Sequence, residues 1–362
     1  MFVAWRDLRF AKGRFALMGA VIVLIALLVG LLSGLTAGLG RQNVSAITGL
    51  PADRIAFGAP GEGRDPSYSD STVTEEQWRR WAAAPGVRAA EPLGIGTTRA
   101  SADGRRAAVS VLGVRPGSPL APDSATLKGP AAVLSATAAD HLGLRPGDTF
   151  DLAGQRLTVT AVRGDASFSH TPVVWTSLAV WQRTAPAAGA RSGTVATVIA
   201  LRTGADTDLT AVDRAAGTRT VSRDDSLTAI GSYASENGSL QLMRGFLFAI
   251  SALVVGAFFT VWTLQRGADT AVLKALGAST SHLLKDALGQ ALVLLTGGTA
   301  AGTALAAAIG AALSGSSVPF VLTPSALLVP AAVMILLGAL GAALSVRRVT
   351  SVDPLTALGS AR

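Results

Sequence analysis

Three stretches of this 362-residue chain carry no charged side chain: Phe15–Gly40, Gly245–Gln265, and the sixty residues between Asp286 and Arg347. A helix needs about 20 apolar residues to cross the hydrocarbon core of a bilayer. The first two stretches therefore fit one span each, and the third fits two. Its middle, around Ser314–Pro324, is full of turn formers. The overall composition agrees, with 15% charged residues and a mean hydropathy of +0.45, whereas soluble domains carry about 25% charge. The expected organisation is a cytoplasmic amphipathic helix at 1–14, spans at 15–39, 244–265, 287–313 and 325–346, and an outer domain at 40–243. A cytoplasmic coupling helix is expected at 266–286, an outer turn at 314–324 and a cytoplasmic tail at 347–362. The first span is too long for a signal-peptide core and no cleavage site follows it, so it is read as retained.

The distribution of charge orients the chain. Residues 41–240 hold 20 basic and 19 acidic side chains, while the remainder holds 11 and 4. Ten of those 11 basic residues fall in the N-terminal segment, the segment after the second span and the C-terminal tail, which share one side of the membrane. By the positive-inside rule that side is the cytoplasm. The net charge of +8 is thus topological, and argues against a nucleic-acid partner. The chain has no cysteine, which excludes thiolate metal ligation and disulfides.

The outer segment reads as a folded α+β domain. Thr74 can cap a short helix over 73–82, with Glu75, Glu76 and Gln77 in its first turn. Strands are expected at 107–114, 149–152, 156–162, 173–181 and 194–201, and a helix over 131–141. No phosphate-binding G-x-x-x-x-G-K-[ST] loop is present, and no nucleophile elbow. The three histidines are widely spaced and the spans hold no charge. No catalytic site, metal site or cofactor is expected on this chain, and energy must come from a partner. Gly30, Gly34 and Gly38 form a small-residue stripe on the first span suited to close helix packing, and Gly298 and Gly302 form another on the third.

Two cytoplasmic segments carry a family likeness. One is Arg266–Ser279, containing Asp269 and Lys274-Ala275-Leu276-Gly277-Ala278-Ser279; the other is Arg347–Leu358. Together with the order of one span, a large outer domain and three spans, they resemble the FtsX/MacB-type family of ABC transporter permeases. Asp269 departs mildly from the glutamate more usual in that family. The resemblance implies a fold of four transmembrane helices with an inserted α+β extracytoplasmic domain. It implies that Asp269 and Lys274–Ser279 dock on a separate ATPase, present in two copies, that ATP is bound there, and that this chain forms a homodimer in the cell membrane.

The stretch Ile230–Met243 and the N-terminal Trp5–Phe15 are similar to haem-exporter (HrtB-like) permeases and their DevC-like relatives. That likeness implies haem as substrate, with Tyr233, Glu236, Met243, Tyr68 and Glu62 as candidate contacts. Lipids, lipopeptides or antimicrobial peptides are alternative cargo. A non-transporting FtsX-like mechanotransmitter that activates a cell-wall hydrolase is the alternative role.

Overall fold

The computed structural model describes residues 12–61, 63–185, 193–265, 279–313 and 318–350. The chain forms two compact units, Leu39–Gly238 and the combination of Met1–Gly38 with Ser239–Arg362. Helix α1 (Lys12–Thr48) belongs to both. It extends well past the expected end of the first span at 39. Gly40 does not interrupt it, no proline comes before Pro51, and its last turns bury Ala46 and Ile47 in the core of the outer unit.

The outer unit then runs β1 (Arg54–Gly58), β2 (Val73–Thr74), α2 (Glu75–Ala82), β3 (Val87–Ala102), β4 (Arg105–Val114), β5 (Ala131–Leu134), α3 (Ala136–Leu142), β6 (Thr149–Leu152) and β7 (Gln155–Val162). It continues with β8 (Ser167–Phe168), β9 (Thr171–Ser177), α4 (Leu178–Thr184), β10 (Thr194–Ala196), β11 (Val198–Thr203), α5 (Leu209–Ala216) and β12 (Thr218–Ser222). Helix α2 starts as its sequence dictates. Thr74 accepts from the Gln77 N–H while the Gln77 side chain accepts from the Thr74 N–H, a reciprocal capping box.

Strand β3 belongs to two sheets at once. Its first half lies beside β11 in the order β12-β1-β11-β3. Its second half closes a barrel, because the path β3-β4-β9-β5-β7-β6 returns to β3 through Ala100↔Leu152 and Ser101↔Asp151. Within the barrel, β4 with β9 and β5 with β7 run parallel. All six barrel strands feed one core, including Ala100, Val111, Ala132, Leu152, Val159 and Val174, which α3 and α4 cover with Leu142 and Trp181. A second core joins the open sheet to α1, with Ile47, Ile55, Phe57, Tyr68, Leu93, Phe168 and Ile230.

Three expected elements are corrected. Residues 131–141 are not one helix but a strand and a helix separated by Ser135, whose hydroxyl accepts from the Ala138 N–H. Residues 173–181 are not one strand: β9 ends at Ser177, which caps α4 in the same way. The strand expected at 194–201 is split into β10 and β11, which belong to different sheets.

The other unit holds the remainder of α1 with α6 (Gly231–Gln265), α7 (Thr280–Leu313) and α8 (Pro324–Thr350). All four helices are long and apolar enough to cross a membrane. Helix α7 already begins at Thr280, so residues 280–286 belong to it rather than to a coupling segment. Helix α8 continues through Arg347 to Thr350, beyond the expected end of the fourth span. The expected amphipathic helix at 1–14 lies, up to residue 11, outside the described residues.

The glycines place α1 against its neighbours. A Cβ on Gly30 would stand 2.7 Å from that of Ala306 on α7, and one on Gly34 would fall on the Phe320 ring. One on Gly38 would strike the Pro319 carbonyl, and the Val321 N–H donates to the Gly34 carbonyl at 3.1 Å. From α7, Gly298 meets Ile22, and Gly302 meets the backbone of α1 at Val23 and Leu27. The small-residue stripes thus seat α7 and residues 319–321 directly on α1.

A polar clasp at the two ends of the outer unit

Three two-residue hairpin loops occur in the described outer unit, all with positive φ at both loop positions, as a type I′ turn demands. Two use glycine at the second position: Asp103-Gly104 and Ala153-Gly154. The third, between β8 and β9, is Ser169-His170, with φ of 48° and 62°. The left-handed conformation costs an L-residue about 1–2 kcal/mol. Two adjacent non-glycine residues in it therefore mark a place where the side chains matter.

Those side chains and their backbone reach both helices that bound the unit. The Ser169 N–H donates to the Asn43 carbonyl at 2.9 Å and the His170 N–H to the Gln42 carbonyl at 3.2 Å. One residue pair back, the Ser167 N–H donates to Ser45 Oγ at 2.9 Å. On the other side, Ser169 Oγ lies 2.9 Å from Ser232 Oγ, and His170 Nε2 lies 2.8 Å from Glu236 Oε2.

Asn43 completes the cluster. It is 1% exposed. Its Nδ2 donates to Glu236 Oε2 at 3.3 Å and its Oδ1 accepts from Ser232 Oγ at 2.7 Å. Asn43 Nδ2 also lies 3.1 Å from His170 Nε2. Both nitrogens face the carboxylate, so both serve it as donors, and Nε2 carries the ring proton or one of two. The His170 and Glu236 side chains remain 29% and 43% exposed, so the cluster is half open to its surroundings.

The candidate residues separate sharply by place. Glu236 is in the cluster, and Tyr233, one turn before it on α6, is partly buried against the core. Met243 lies seven residues further along α6 with an exposed side chain. Tyr68 is elsewhere: at 3% exposure it stacks edge-on between Phe57 and Phe168 and donates to Ser226 Oγ at 2.9 Å. Burial pushes its phenol well above the usual tyrosine range, the Ser226 hydrogen bond opposing only part of that. A phenol so enclosed offers no open ligand, which corrects its expected place among substrate contacts. Glu62, Asp269 and Lys274-Ala275-Leu276-Gly277-Ala278 lie outside the described residues; Ser279 is described and exposed. Sequence reasoning missed Asn43, Ser169, His170 and Ser232. Of these only Asn43, one of two adjacent amides following an apolar span, left a readable trace.

Family models match two successive parts of the chain. Residues 15–219 match the MacB-like periplasmic core domain and residues 242–354 the FtsX-like permease C-terminal domain. A Staphylococcus haemolyticus protein, named as a candidate hemin transport system permease protein HrtB, is 25% identical, with 99% of each chain covered. An uncharacterized ABC transporter permease of Mycobacterium tuberculosis is also 25% identical, again over 99% of each chain. Among solved structures, the periplasmic region of MacB from Actinobacillus actinomycetemcomitans aligns with 50% of this chain and 94% of its own, at 11% identity and a TM-score of 0.37.

Proposed function

We propose, on the premise that this chain belongs to the family of ABC transporter permeases with a MacB-like periplasmic core and an FtsX-like C-terminal domain, that it is the membrane subunit of a haem exporter. The observation that carries the cargo is the end-to-end likeness to the staphylococcal hemin permease. One candidate contact supports it: haem iron accepts a phenolate donor, and Tyr233 sits half-buried on α6.

In this reading two copies of the chain pair in the cell membrane, with both termini in the cytoplasm and the outer unit on the far side. Each copy docks one ATPase subunit through Asp269 and Lys274–Ser279. ATP is bound and hydrolysed on the partner. Closure of the ATPases moves the coupling segment and the adjoining N-terminal segment, and α1 and α6 carry that movement toward the outer unit. A hydrophobic substrate with polar edges is then displaced outward from the outer leaflet. Haem suits such a path, having an apolar ring, two carboxylates and a metal centre.

The test is haem-dependent ATP hydrolysis by the permease co-purified with its ATPase in nanodiscs. Stimulation by haem, and not by a lipopeptide of similar size, supports the reading. A haem-insensitive ATPase that co-purifies with a cell-wall hydrolase sinks it.

A further inference from the structure

We infer that the Ser169-His170 turn is a force-bearing weld that holds the outer ends of α1 and α6 as one body with the β-barrel. Deleting its side-chain bonds would then uncouple the permease without unfolding it. The activity readout rests on the exporter function proposed above; the geometric readout does not.

The turn is built against its own conformational preference. Asn-Gly is the sequence that two positive φ values favour, and the other two loops of this class in the described unit use glycine at their second position. Here His170 occupies that place, and its ring is the group that reaches Glu236 on α6. Ser169 occupies the first, and its hydroxyl reaches Ser232 on the same helix. The backbone of the same two residues is committed to α1 through the Asn43 and Gln42 carbonyls. One turn thus grips both helices, with backbone on one side and side chains on the other. Asn43 ties the two helices to each other directly, through Ser232 and Glu236.

The hairpin behind the turn is anchored in turn. Ser110 Oγ of β4 donates to the Phe168 carbonyl at 3.0 Å, and Phe168 is buried in the core shared with Ile47 and Ile230. β9 is hydrogen-bonded to both β4 and β5 inside the closed barrel. A pull on either helix therefore reaches the barrel wall through short, directional bonds rather than through a compliant loop.

The decisive variant is the double substitution Ser169→Asn with His170→Gly. It supplies the preferred turn sequence and keeps both backbone N–H bonds to α1, but removes both side-chain bonds to α6. If the residues merely formed a turn, the variant would be as good as the wild type or better. The weld predicts that its melting temperature holds or rises and that basal ATP hydrolysis is kept, while haem stimulation falls about five-fold or more.

The second measurement reads the weld itself. The chain has no cysteine, so spin labels can be placed at Gly40→Cys and Gly238→Cys, where an added Cβ meets nothing within 4 Å. In full-length protein, a narrow distance distribution that broadens in the double variant supports the weld. An unchanged distribution, or retained haem stimulation in a well-folded double variant, overturns it. Broadening in a complex whose wild type shows no haem response would keep the weld and remove the exporter reading.

Discussion

His170 Nε2 and Glu236 Oε2 lie 2.8 Å apart across 66 residues of sequence, and both face the buried amide of Asn43. Asn43 holds this pair by using both ends of one side chain, accepting from Ser232 while donating to Glu236. Asn43→Ala takes one of two partners from the Ser232 hydroxyl, leaving Ser169, and one from the Glu236 carboxylate, leaving His170. The loss expected is about 1–3 kcal/mol, read as a lower melting temperature of the detergent-purified chain. Asn43→Asp places a second carboxylate beside Glu236 and is expected to cost at least as much.

The two tyrosines are expected to behave oppositely. Tyr233→Phe should leave the melting temperature near the wild-type value and lower haem stimulation of the complex several-fold. Tyr68→Phe should leave the haem response in place and lower stability by about 0.5–1.5 kcal/mol, the net worth of one buried hydrogen bond. Measuring both variants for both properties gives four values to compare. A haem defect confined to Tyr68→Phe would exclude the assignment of Tyr233.

Tyr68 also sets an alkaline limit. Its phenol is raised in the folded state, chiefly by burial. The neutral form is therefore favoured by folding, and this contribution is whole below the ordinary tyrosine value near 10. As pH rises past that value, the unfolded chain loses the proton while the folded chain keeps it, so stability falls. Tyr68 and Tyr233 are the only tyrosines. In Tyr233→Phe the ultraviolet phenolate signal should thus appear together with unfolding, and not before it.

Neighbouring glycines on α7 give a packing test. A side chain on Gly298 would collide with Ile22 of α1, whereas one on Gly297 meets nothing within 4 Å. Gly298→Leu is expected to destabilise by roughly 1–3 kcal/mol through overpacking and to lower the yield of monodisperse protein. Gly297→Leu should be close to neutral. Equal effects would show that α1 and α7 do not pack as described.

Removing Lys274–Ser279 should abolish co-purification of the ATPase while membrane insertion survives. Retained association would move the docking role elsewhere on the chain.

What the sequence made legible followed from signals that are strong over a short window. Uncharged runs announce spans because each charge in hydrocarbon is costly, and the Thr74-x-x-Gln77 box announces a helix start. The errors at 131–141 and 173–181 share one cause. In both, a single serine ends a strand and begins a helix, and Ala- and Val-rich flanks gave no break in pattern. Strand β3 went unseen because Gly94 and Gly96 argue against a strand. Yet Gly94 pairs with Gly113 of β4, and a Cβ on either would strike the indole of Trp181. Those glycines admit a tryptophan onto the sheet, which only the assembled barrel makes evident. The clasp was illegible for a related reason, since its members are brought together by register and by two left-handed residues.

The distance along the chain between the clasp's two ends has a consequence for synthesis. Asn43 and Glu236 are 193 residues apart, with the entire barrel encoded between them. At about 5–20 residues per second on the ribosome, α1 is made roughly 10–40 seconds before the helix it must grip. During that interval the Asn43 amide has no Glu236 to meet. The clasp can close only once the barrel has folded and α6 has emerged, which makes its closure a late checkpoint in the birth of the protein. A chain that misfolds anywhere between the two helices would be left with that junction unmade and exposed to proteolysis.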